Sequence, residues 1–325
     1  MKPLLSWYGG KQKMIPNLLP LLPDSKVYVE PFCGGAALFF AKEPSPTEVL
    51  NDTNHQLINL YRVCQTPYLR EELIQRLVAT PYSRALYEQA KAIYKESTAD
   101  SVTQAWAIVV ANQQAFSNKT AMGWAVDKKN SGCNILKKWQ NYRSEMTQCV
   151  EQAWALYSLV YSSYGSKPAE GWAYEKGKTE KQSPVILRNR IDHLPTTVQR
   201  LNSVYLECDD ALAVIKRWDT PDTLFYCDPP YPNTDQGQYK GYTQADFGAL
   251  VDTLASIQGS FLLSCYPNDA VPSDWEVFSF NTRMSAAGGK AMAEGRTDTK
   301  RVEMVWRKLN KVHSGKRQLS LFSPS

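Results

Sequence analysis

The chain has 325 residues, of which 43% are hydrophobic, and carries a formal net charge of +5, so it can bury a core as one large domain or two smaller ones. No run of about 18 apolar residues occurs and the amino terminus lacks a signal-peptide pattern, which disfavours membrane and secreted proteins and predicts a cytoplasmic location. The seven cysteines and three histidines show no C-x-x-C or clustered spacing, which excludes a disulfide scaffold and predicts no metal site.

The amino-terminal part of the chain alternates between strand and helix patterns. "SKVYVEPF" (25–32) predicts a buried strand, and "GGAALFFAKE" (34–43) predicts a helix after a glycine turn. "TEVLNDTN" (47–54) and "HQLINLYRVC" (55–64) repeat the pair. Because strands that alternate with helices usually pair side by side in one direction, this part predicts a parallel sheet.

From Cys64 onward the pattern becomes helical and the charge becomes basic. Residues 64–195 hold seventeen Lys and Arg against twelve Asp and Glu, whereas the rest of the chain holds twenty of each. This excess indicates either binding to a polyanion or a well-solvated face. The predicted helices are separated by a loop-like stretch at 117–134, and their sequences are "REELIQRLVA", "SRALYEQAKAIYKE", "SVTQAWAIVVANQQAF" and "ILKKWQNYRSEMTQCVEQAWALYSLVY".

The alternation resumes in the last third of the chain. Strands and helices are predicted, in order, at "VYLEC", "DALAVIKRW", "TLFYC", "ADFGALVDTLASI", "SFLLSC" and "RVEMVWRK". The sequence therefore predicts one α/β domain, built from residues 1–63 and 194–310, that is interrupted by a largely helical insert at 64–193. Residues 311–325 are predicted to form a flexible tail.

Two motifs follow predicted strands and place polar groups where open α/β sheets bind ligands. In "VEPFCGG", Glu30 and Phe32 precede glycines that let the backbone approach a nucleoside. About 20 residues farther on, Asp52 has the spacing of a carboxylate that holds ribose hydroxyls in a Rossmann-like unit. Asp52 is equally well explained as a cap for the helix that begins near Asn54.

A third motif, "CDPPY" at 227–231, ends a strand abruptly. The prolines stop backbone pairing and stiffen a corner that carries an acid, Asp228, and an aromatic side chain, Tyr231. Taken alone, the corner is as consistent with a solvated loop as with a binding site.

Together the motifs "WYGGK", "VEPFCGG", "NDTNHQLINLYR", "CDDALAVI" and "CDPPY", in this order, resemble the Dam-type (D12 class) family of DNA adenine-N6 methyltransferases. The resemblance spans about 6–62 and 194–308. It implies a Rossmann-like methyltransferase sheet, with a mainly helical target-recognition domain as the insert. D-P-P-Y in place of N-P-P-Y favours a DNA adenine over the substrates of related glutamine and ribosomal-RNA methyltransferases.

The resemblance also implies how S-adenosylmethionine would be bound. Asp52 would hold the ribose hydroxyls, and Asp210 would hold the adenine amino group of the cofactor, with Asp209 as the alternative. The remaining cofactor-binding residues are expected to be Trp7, Gly10, Lys11, Glu30, Phe32 and Gly34.

By the same resemblance, the corner at 228–231 would carry out the chemistry. Asp228 and the carbonyl of Pro229 would accept the two N6 hydrogens of adenine, which aims the nitrogen lone pair at the methyl group. Pro230 would stiffen the corner. Tyr231 would stack on a base flipped out of the duplex.

The insert and the tail are predicted to bind two macromolecular partners. The basic insert suits the backbone of double-stranded DNA, with Lys119, Lys128 and Lys129 at phosphates and Asn118 at a base edge. In the tail, Gln318, Leu319, Ser320, Leu321 and Phe322 resemble the peptide with which bacterial proteins hold the DNA sliding clamp, although this segment could instead pack on its own domain.

The expected protein is therefore a bacterial or phage-like, nucleoid-associated adenine-specific DNA methyltransferase. Two alternatives stay open from the sequence. One is a DNA-binding regulator that keeps the fold without catalysis, and the other is an RNA or protein methyltransferase.

Overall fold

The computed structural model describes residues 3–5, 7, 9–80, 83–97, 99–114, 199–234, 239, 241–283 and 300–314, with the backbone alone at 78, 282, 283, 300 and 301. The chain divides into two compact units. The first, here called the sheet unit, combines Met1–Thr66 with Thr197–Ser325. The second, here called the helical unit, is Pro67–Thr196.

Within its described residues, the sheet unit contains one seven-stranded sheet in the order β3-β2-β1-β4-β5-β7-β6. The first five strands run parallel, and β7 is antiparallel to both β5 and β6. The strands are β1 (Val27–Glu30), β2 (Thr47–Asn51), β3 (Val204–Glu207), β4 (Thr223–Cys227), β5 (Ser260–Cys265), β6 (Glu276–Arg283) and β7 (Lys300–Lys308). The predicted α/β fold with a mainly parallel sheet is confirmed.

Of the described α-helices, one precedes the first strand, and the others lie between strands along the chain or in the helical unit. Several begin at a side-chain cap: Asn54 accepts backbone N–H groups at the start of the helix His55–Gln65, and Thr243 forms a capping box with Asp246 at the start of the helix Gln244–Ser256. The helices are α1 (Ile15–Leu18), α2 (Ala37–Ala41), α3 (His55–Gln65), α4 (Pro67–Val78), α5 (Arg84–Glu96), α6 (Ser101–Gln113), α7 (Ala211–Trp218) and α8 (Gln244–Ser256).

The core of the sheet unit lies around its central strands. Every residue of β4 and β5 is buried, as expected for strands that helices cover on both faces. Phe225 and Phe261 are fully buried, and they pack with Phe247 of α8. The carboxyl ends of β1, β2 and β4 are therefore held in place by a continuous apolar cluster.

Strand β6 was not predicted from the sequence. It lies at the edge of the sheet and leaves Val277 half exposed, so its burial pattern is weak. The alternation of Phe278 and Phe280 along one face is the signal that could have revealed it.

A buried ion cluster and a pair of hydrogen bonds close the sheet unit where the helical unit interrupts it. Glu48 on β2 accepts from Lys42 Nζ at 2.6 Å and from Arg200 Nη2 at 2.7 Å. Gln65, at the end of α3, donates through Nε2 to the carbonyls of Leu201 at 2.7 Å and Val204 at 2.8 Å. The two chain crossings are thus joined directly inside the sheet unit.

The described part of the helical unit consists of α4, α5 and α6, and helices are predicted at all three places. Trp106 on α6 donates through Nε1 to Thr80 Oγ1 at 2.8 Å, and Arg76 lies over its ring at 4.7 Å from the centroid. The helix predicted at 135–161 falls outside the described residues. Among the helices that are described, none combines the length and the apolar character that crossing a membrane would require.

Candidate active site

The predicted site residues of the sheet unit gather at one edge of the sheet. Glu30 ends β1, Asp52 directly follows β2, and Asp228 directly follows β4. Since these three strands are parallel neighbours, their carboxyl ends meet at the same edge. The strand order reverses at β1 and β4, which makes this edge the expected ligand crevice of an open α/β sheet.

Gly34 and Trp7 form a close contact beside β1. Gly34 has a φ of 46°, and a Cβ atom there would lie 2.8 Å from Trp7 Cδ1. Its N–H donates to Asp52 Oδ2 at 2.9 Å, and its carbonyl accepts from the Tyr61 hydroxyl at 2.8 Å. Glycine is therefore required both by the backbone conformation and by the indole that packs on it.

Asp52 is a buried carboxylate that organises this part of the site. It is 4% exposed and accepts from the N–H groups of Gly34 and Asn54 and from the hydroxyl of Tyr239. Burial raises its pKa, and these three donors oppose that rise. Asn54, and not Asp52, caps α3, so the capping explanation for Asp52 is wrong.

Tyr239 connects Asp52 to Trp7. Its hydroxyl donates to Asp52 Oδ2 at 2.9 Å and accepts from Trp7 Nε1 at 3.1 Å. Tyr239 was not among the predicted site residues, because its partner Asp52 lies 187 positions away in the chain. Trp7, Gly34 and Asp52, which were predicted, are brought together by this unpredicted tyrosine.

Glu30 faces the interior. It is 2% exposed, and its Oε1 accepts from the Tyr28 hydroxyl and from the N–H of Phe39, both at 2.8 Å. Burial raises its pKa to about 8, against the effect of the two donors. At neutral pH the side chain is therefore mostly a neutral carboxylic acid inside the sheet unit.

The other predicted residues near β1 have ordinary roles in the local structure. Phe32 is half-buried and makes an edge contact with Tyr242, with ring centroids 6.4 Å apart. Gly10 closes a tight turn by donating its N–H to the carbonyl of Trp7 at 3.0 Å. A Cβ atom at Gly10 would lie 3.0 Å from that same oxygen.

Asp209 and Asp210 follow β3 and hold the start of α7. Asp210 is the N-cap, and its Oδ1 accepts from the N–H of Ala213 at 3.0 Å. Asp209 pairs with Arg217 at 2.8 Å, and its backbone is held by Asn51, whose side chain also binds the carbonyl of Pro31. Asn51 thus links the ends of three neighbouring strands.

At the corner after β4, Asp228 already binds an amine from the protein itself. Lys11 Nζ lies 2.8 Å from Asp228 Oδ1, and the two side chains are 12% and 17% exposed. Burial raises the pKa of Asp228, while Lys11 lowers it. Burial alone would lower the pKa of Lys11, but the nearby carboxylates outweigh it and raise the pKa.

Glu303 on β7 completes this corner. Its Oε1 lies 3.4 Å from Lys11 Nζ and accepts from the Tyr231 hydroxyl, which also contacts Asp228 Oδ1 at 3.2 Å. Sequence reasoning missed Glu303, because it lies 72 positions beyond Tyr231. The available signal was a single acid in the otherwise apolar core of "RVEMVW".

Tyr231 contacts charged and aromatic groups. Lys11 Nζ lies over the ring at 4.7 Å from its centroid, and Tyr266 meets it edge-on at 4.7 Å between centroids. The two prolines before it are buried at 229 and half-buried at 230. The corner thus combines a carboxylate acceptor with a flat aromatic face, and both are in contact with the Lys11 ammonium.

The predicted DNA-binding residues Asn118, Lys119, Lys128 and Lys129 lie outside the described part of the chain, as does the predicted clamp-binding peptide, Gln318, Leu319, Ser320, Leu321 and Phe322.

Comparison with known proteins shows similarity over most of the chain. Residues 7–279 match the family model described as D12 class N6 adenine-specific DNA methyltransferase. The chain is 41% identical over 78 residues to the type II methyltransferase M1.LlaDCHI of Lactococcus lactis subsp. cremoris, a match that covers 24% of this chain and 26% of that protein.

Two viral relatives are also similar. The chain is 28% identical over 153 residues to the type II methyltransferase M.CviBI of Paramecium bursaria Chlorella virus NC1A, covering 45% of this chain and 54% of that protein. It is 27% identical over 118 residues to the DNA N-6-adenine-methyltransferase of Escherichia phage P1, covering 36% of this chain and 16% of that protein. Each match therefore spans less than two thirds of the relative's own length.

Proposed function

The chain belongs to the D12 class of N6 adenine-specific DNA methyltransferases, and from that premise we propose that it transfers the methyl group of S-adenosylmethionine to an adenine N6 in double-stranded DNA. The observation that carries the proposal is the contact between Asp228 and Lys11. At the carboxyl edge of the sheet, Asp228 Oδ1 already accepts from an amine at 2.8 Å. A rigid acceptor for N–H groups is what an adenine amine needs at this position.

The residues near β1 and β2 fit the cofactor. A carboxylate offers about four acceptor positions, and Asp52 uses three of them, so one remains for a ribose hydroxyl. The Asp210 carboxylate uses Oδ1 to cap α7, which leaves Oδ2 as an acceptor for the adenine amino group.

When bound, S-adenosylmethionine would supply an electrophilic methyl group, and the electron pair of the broken carbon–sulfur bond would stay on the sulfur. Asp228 and the Pro229 carbonyl accept the two N6 hydrogens, and this withdraws the nitrogen lone pair from conjugation with the ring and orients it. Pro230 keeps the corner rigid. After transfer, the N6 nitrogen gives up one proton toward Asp228 and solvent.

Tyr231 receives the flipped base in this proposal. Its ring face already attracts a cation, and stacking on adenine offsets part of an unstacking cost of about a few kcal/mol. The basic insert, with Asn118, Lys119, Lys128 and Lys129, would hold the duplex and read its sequence. The reaction would take place in the cytoplasm, on nucleoid or phage DNA.

The test is transfer of labelled methyl groups to duplex DNA, with RNA and protein as competing substrates. Asp228→Ala and Asp228→Asn should lower kcat at least about 100-fold, since both remove a charged acceptor aligned with the reacting nitrogen. Asp252→Asn, an exposed aspartate on α8, is the matched control and should leave kcat unchanged. Undiminished transfer by the Asp228 variants, or transfer to RNA or protein alone, would contradict the proposal.

We also propose that the tail binds the bacterial sliding clamp through Gln318, Leu319, Ser320, Leu321 and Phe322. The support for this is the sequence of the segment, whose short apolar side chains can fill a groove on a partner. A peptide of residues 316–325 should bind the clamp, and the double change of Leu321 and Phe322 to Ala should abolish binding. Ser323→Ala, just outside the motif, is the control. Equal binding by the double variant would refute the proposal.

A further inference from the structure

Glu303 contacts the same groups as Asp228. Its side chain, only 7% exposed, comes from β7, whereas Asp228 follows β4. Both carboxylates contact the Lys11 ammonium and the Tyr231 hydroxyl. The described corner therefore contains two buried acids around one buried ammonium.

Lys11 occupies one oxygen of the carboxylate that the proposed reaction requires, and it also lies over the ring on which the base would stack. Asp228 Oδ1 accepts from Lys11 Nζ, and the same ammonium lies over the Tyr231 ring. An adenine that donates its N6–H to Asp228 and stacks on Tyr231 would meet the ammonium at both contacts. Lys11 must then move, and with only 12% of its side chain exposed it has little contact with water to replace the ion pair that it gives up.

We propose that Glu303 is a positioning residue that takes over the Lys11 ammonium when the adenine amine occupies Asp228. Lys11 Nζ is already 3.4 Å from Glu303 Oε1, so a small movement toward Glu303 replaces the contact it gives up at 2.8 Å. The charge of Lys11 then stays paired throughout the substrate's entry. This inference rests on the proposed function, because it needs an adenine amine at Asp228.

Among the described residues, the neighbours of Lys11 leave Glu303 as the suitable acceptor. Besides the two acids, Nζ contacts the carbonyl of Gly9 at 3.4 Å, but that neutral oxygen cannot balance a buried charge. Glu303 is held in place by the Tyr231 hydroxyl, so it stays near the corner while Lys11 moves. In this proposal Tyr231 and Glu303 stay hydrogen-bonded to each other while the Lys11 ammonium moves.

The test compares Glu303→Gln in two backgrounds. The amide keeps the size of the side chain and an oxygen acceptor for Tyr231 but has no charge to hold Lys11. In the natural chain Glu303→Gln should lower kcat about tenfold. In a Lys11→Met background it should lower kcat less than about twofold further, because the ammonium that needed Glu303 is gone. The dissociation constant of S-adenosylmethionine should change less than about twofold in both backgrounds.

Controls separate this role from a general effect on the fold. Glu276→Gln, on neighbouring β6 and paired with Arg307, should leave kcat unchanged. If Glu303→Gln does not fold, Glu303→Asp, which draws the charge away from Lys11, is measured in the same two backgrounds. A 2-aminopurine base at the methylated position should also fluoresce less with Glu303→Gln than with the natural chain, because Lys11 would then hold the site against the flipped base.

Each outcome points to one conclusion. Equal losses of kcat in both backgrounds, or natural kcat for Glu303→Gln, would overturn the role of Glu303 and leave the proposed function standing. Absence of methyl transfer by the natural chain would overturn the proposed function, and this inference with it.

Discussion

Replacing Glu30 with Gln should change the way in which stability depends on pH. In the folded chain burial raises the pKa of Glu30 from 4.5 to about 8. Between these two values the folded state holds a proton that the unfolded state has released. The free energy of unfolding therefore falls as pH rises through this range. Below pH 4.5 the stability that Glu30 contributes is fully present.

The size of the effect follows from the difference between the two pKa values. One pKa unit corresponds to about 1.4 kcal/mol, so the free energy of unfolding should fall by about 5 kcal/mol between pH 4.5 and pH 8 because of Glu30. Glutamine mimics the neutral acid, because its Oε1 can accept from Tyr28 and Phe39 as Glu30 does. The variant therefore keeps this free energy of unfolding as pH rises.

The assay is urea unfolding of both proteins at pH values from 5 to 9, followed by tryptophan fluorescence. The variant should become progressively more stable than the natural chain as pH rises, by up to about 5 kcal/mol at pH 9. Tyr28→Phe is the matched variant: it removes one donor to Glu30, raises the carboxyl pKa further and should extend the pH-dependent range upward. A difference between Glu30→Gln and the natural chain that does not vary with pH would refute the reasoning.

Other substitutions test the cofactor edge and the ion cluster. Gly34→Ala should weaken S-adenosylmethionine binding at least about tenfold by calorimetry, since its Cβ would lie 2.8 Å from Trp7 Cδ1 at a φ that favours glycine; unchanged binding would argue against a role for this turn. Arg200→Met should lower the free energy of unfolding by about 3 kcal/mol, because it leaves the buried Glu48 with one cation fewer. Asp222→Asn, which breaks an exposed pair with a lysine, should lower the free energy of unfolding by less than about 1 kcal/mol, measured by urea unfolding. Equal losses in Arg200→Met and Asp222→Asn would contradict the expectation that the buried ion pair contributes more than the exposed one.

Most of the sheet could be predicted because its signals are local. β4 and β5 are short apolar runs bounded by turn residues, and parallel pairing follows from the helices between the strands. The motif residues Asp52 and Asp228 could be placed at one edge for the same reason. The edge strand β6 escaped prediction, because only one of its faces is covered.

The contacts inside the site could not be predicted, because they join distant parts of the chain. Lys11 was predicted as a cofactor-binding residue, and no sequence signal indicated the contact of its ammonium with Asp228, 217 positions farther along the sequence. Tyr239 and Glu303 belong to no motif, and only the residues that they contact show that they are part of the site. Glu30 was also expected beside the cofactor, and the sequence did not indicate that it would be buried and accept hydrogen bonds from Tyr28 and Phe39.

The joint between Gln65 and Leu201 has a consequence for how such chains can diversify. Gln65 Nε2 donates directly to the carbonyl of Leu201. The two segments of the sheet unit are therefore joined by a contact that does not involve the 130 residues of the helical unit between Thr66 and Thr197. A segment whose ends are already pinned can be exchanged for another of different length without redesigning the catalytic framework. Under the proposed function, in which the insert reads the DNA sequence, specificity would then change when this segment is exchanged, while the sheet unit stays constant.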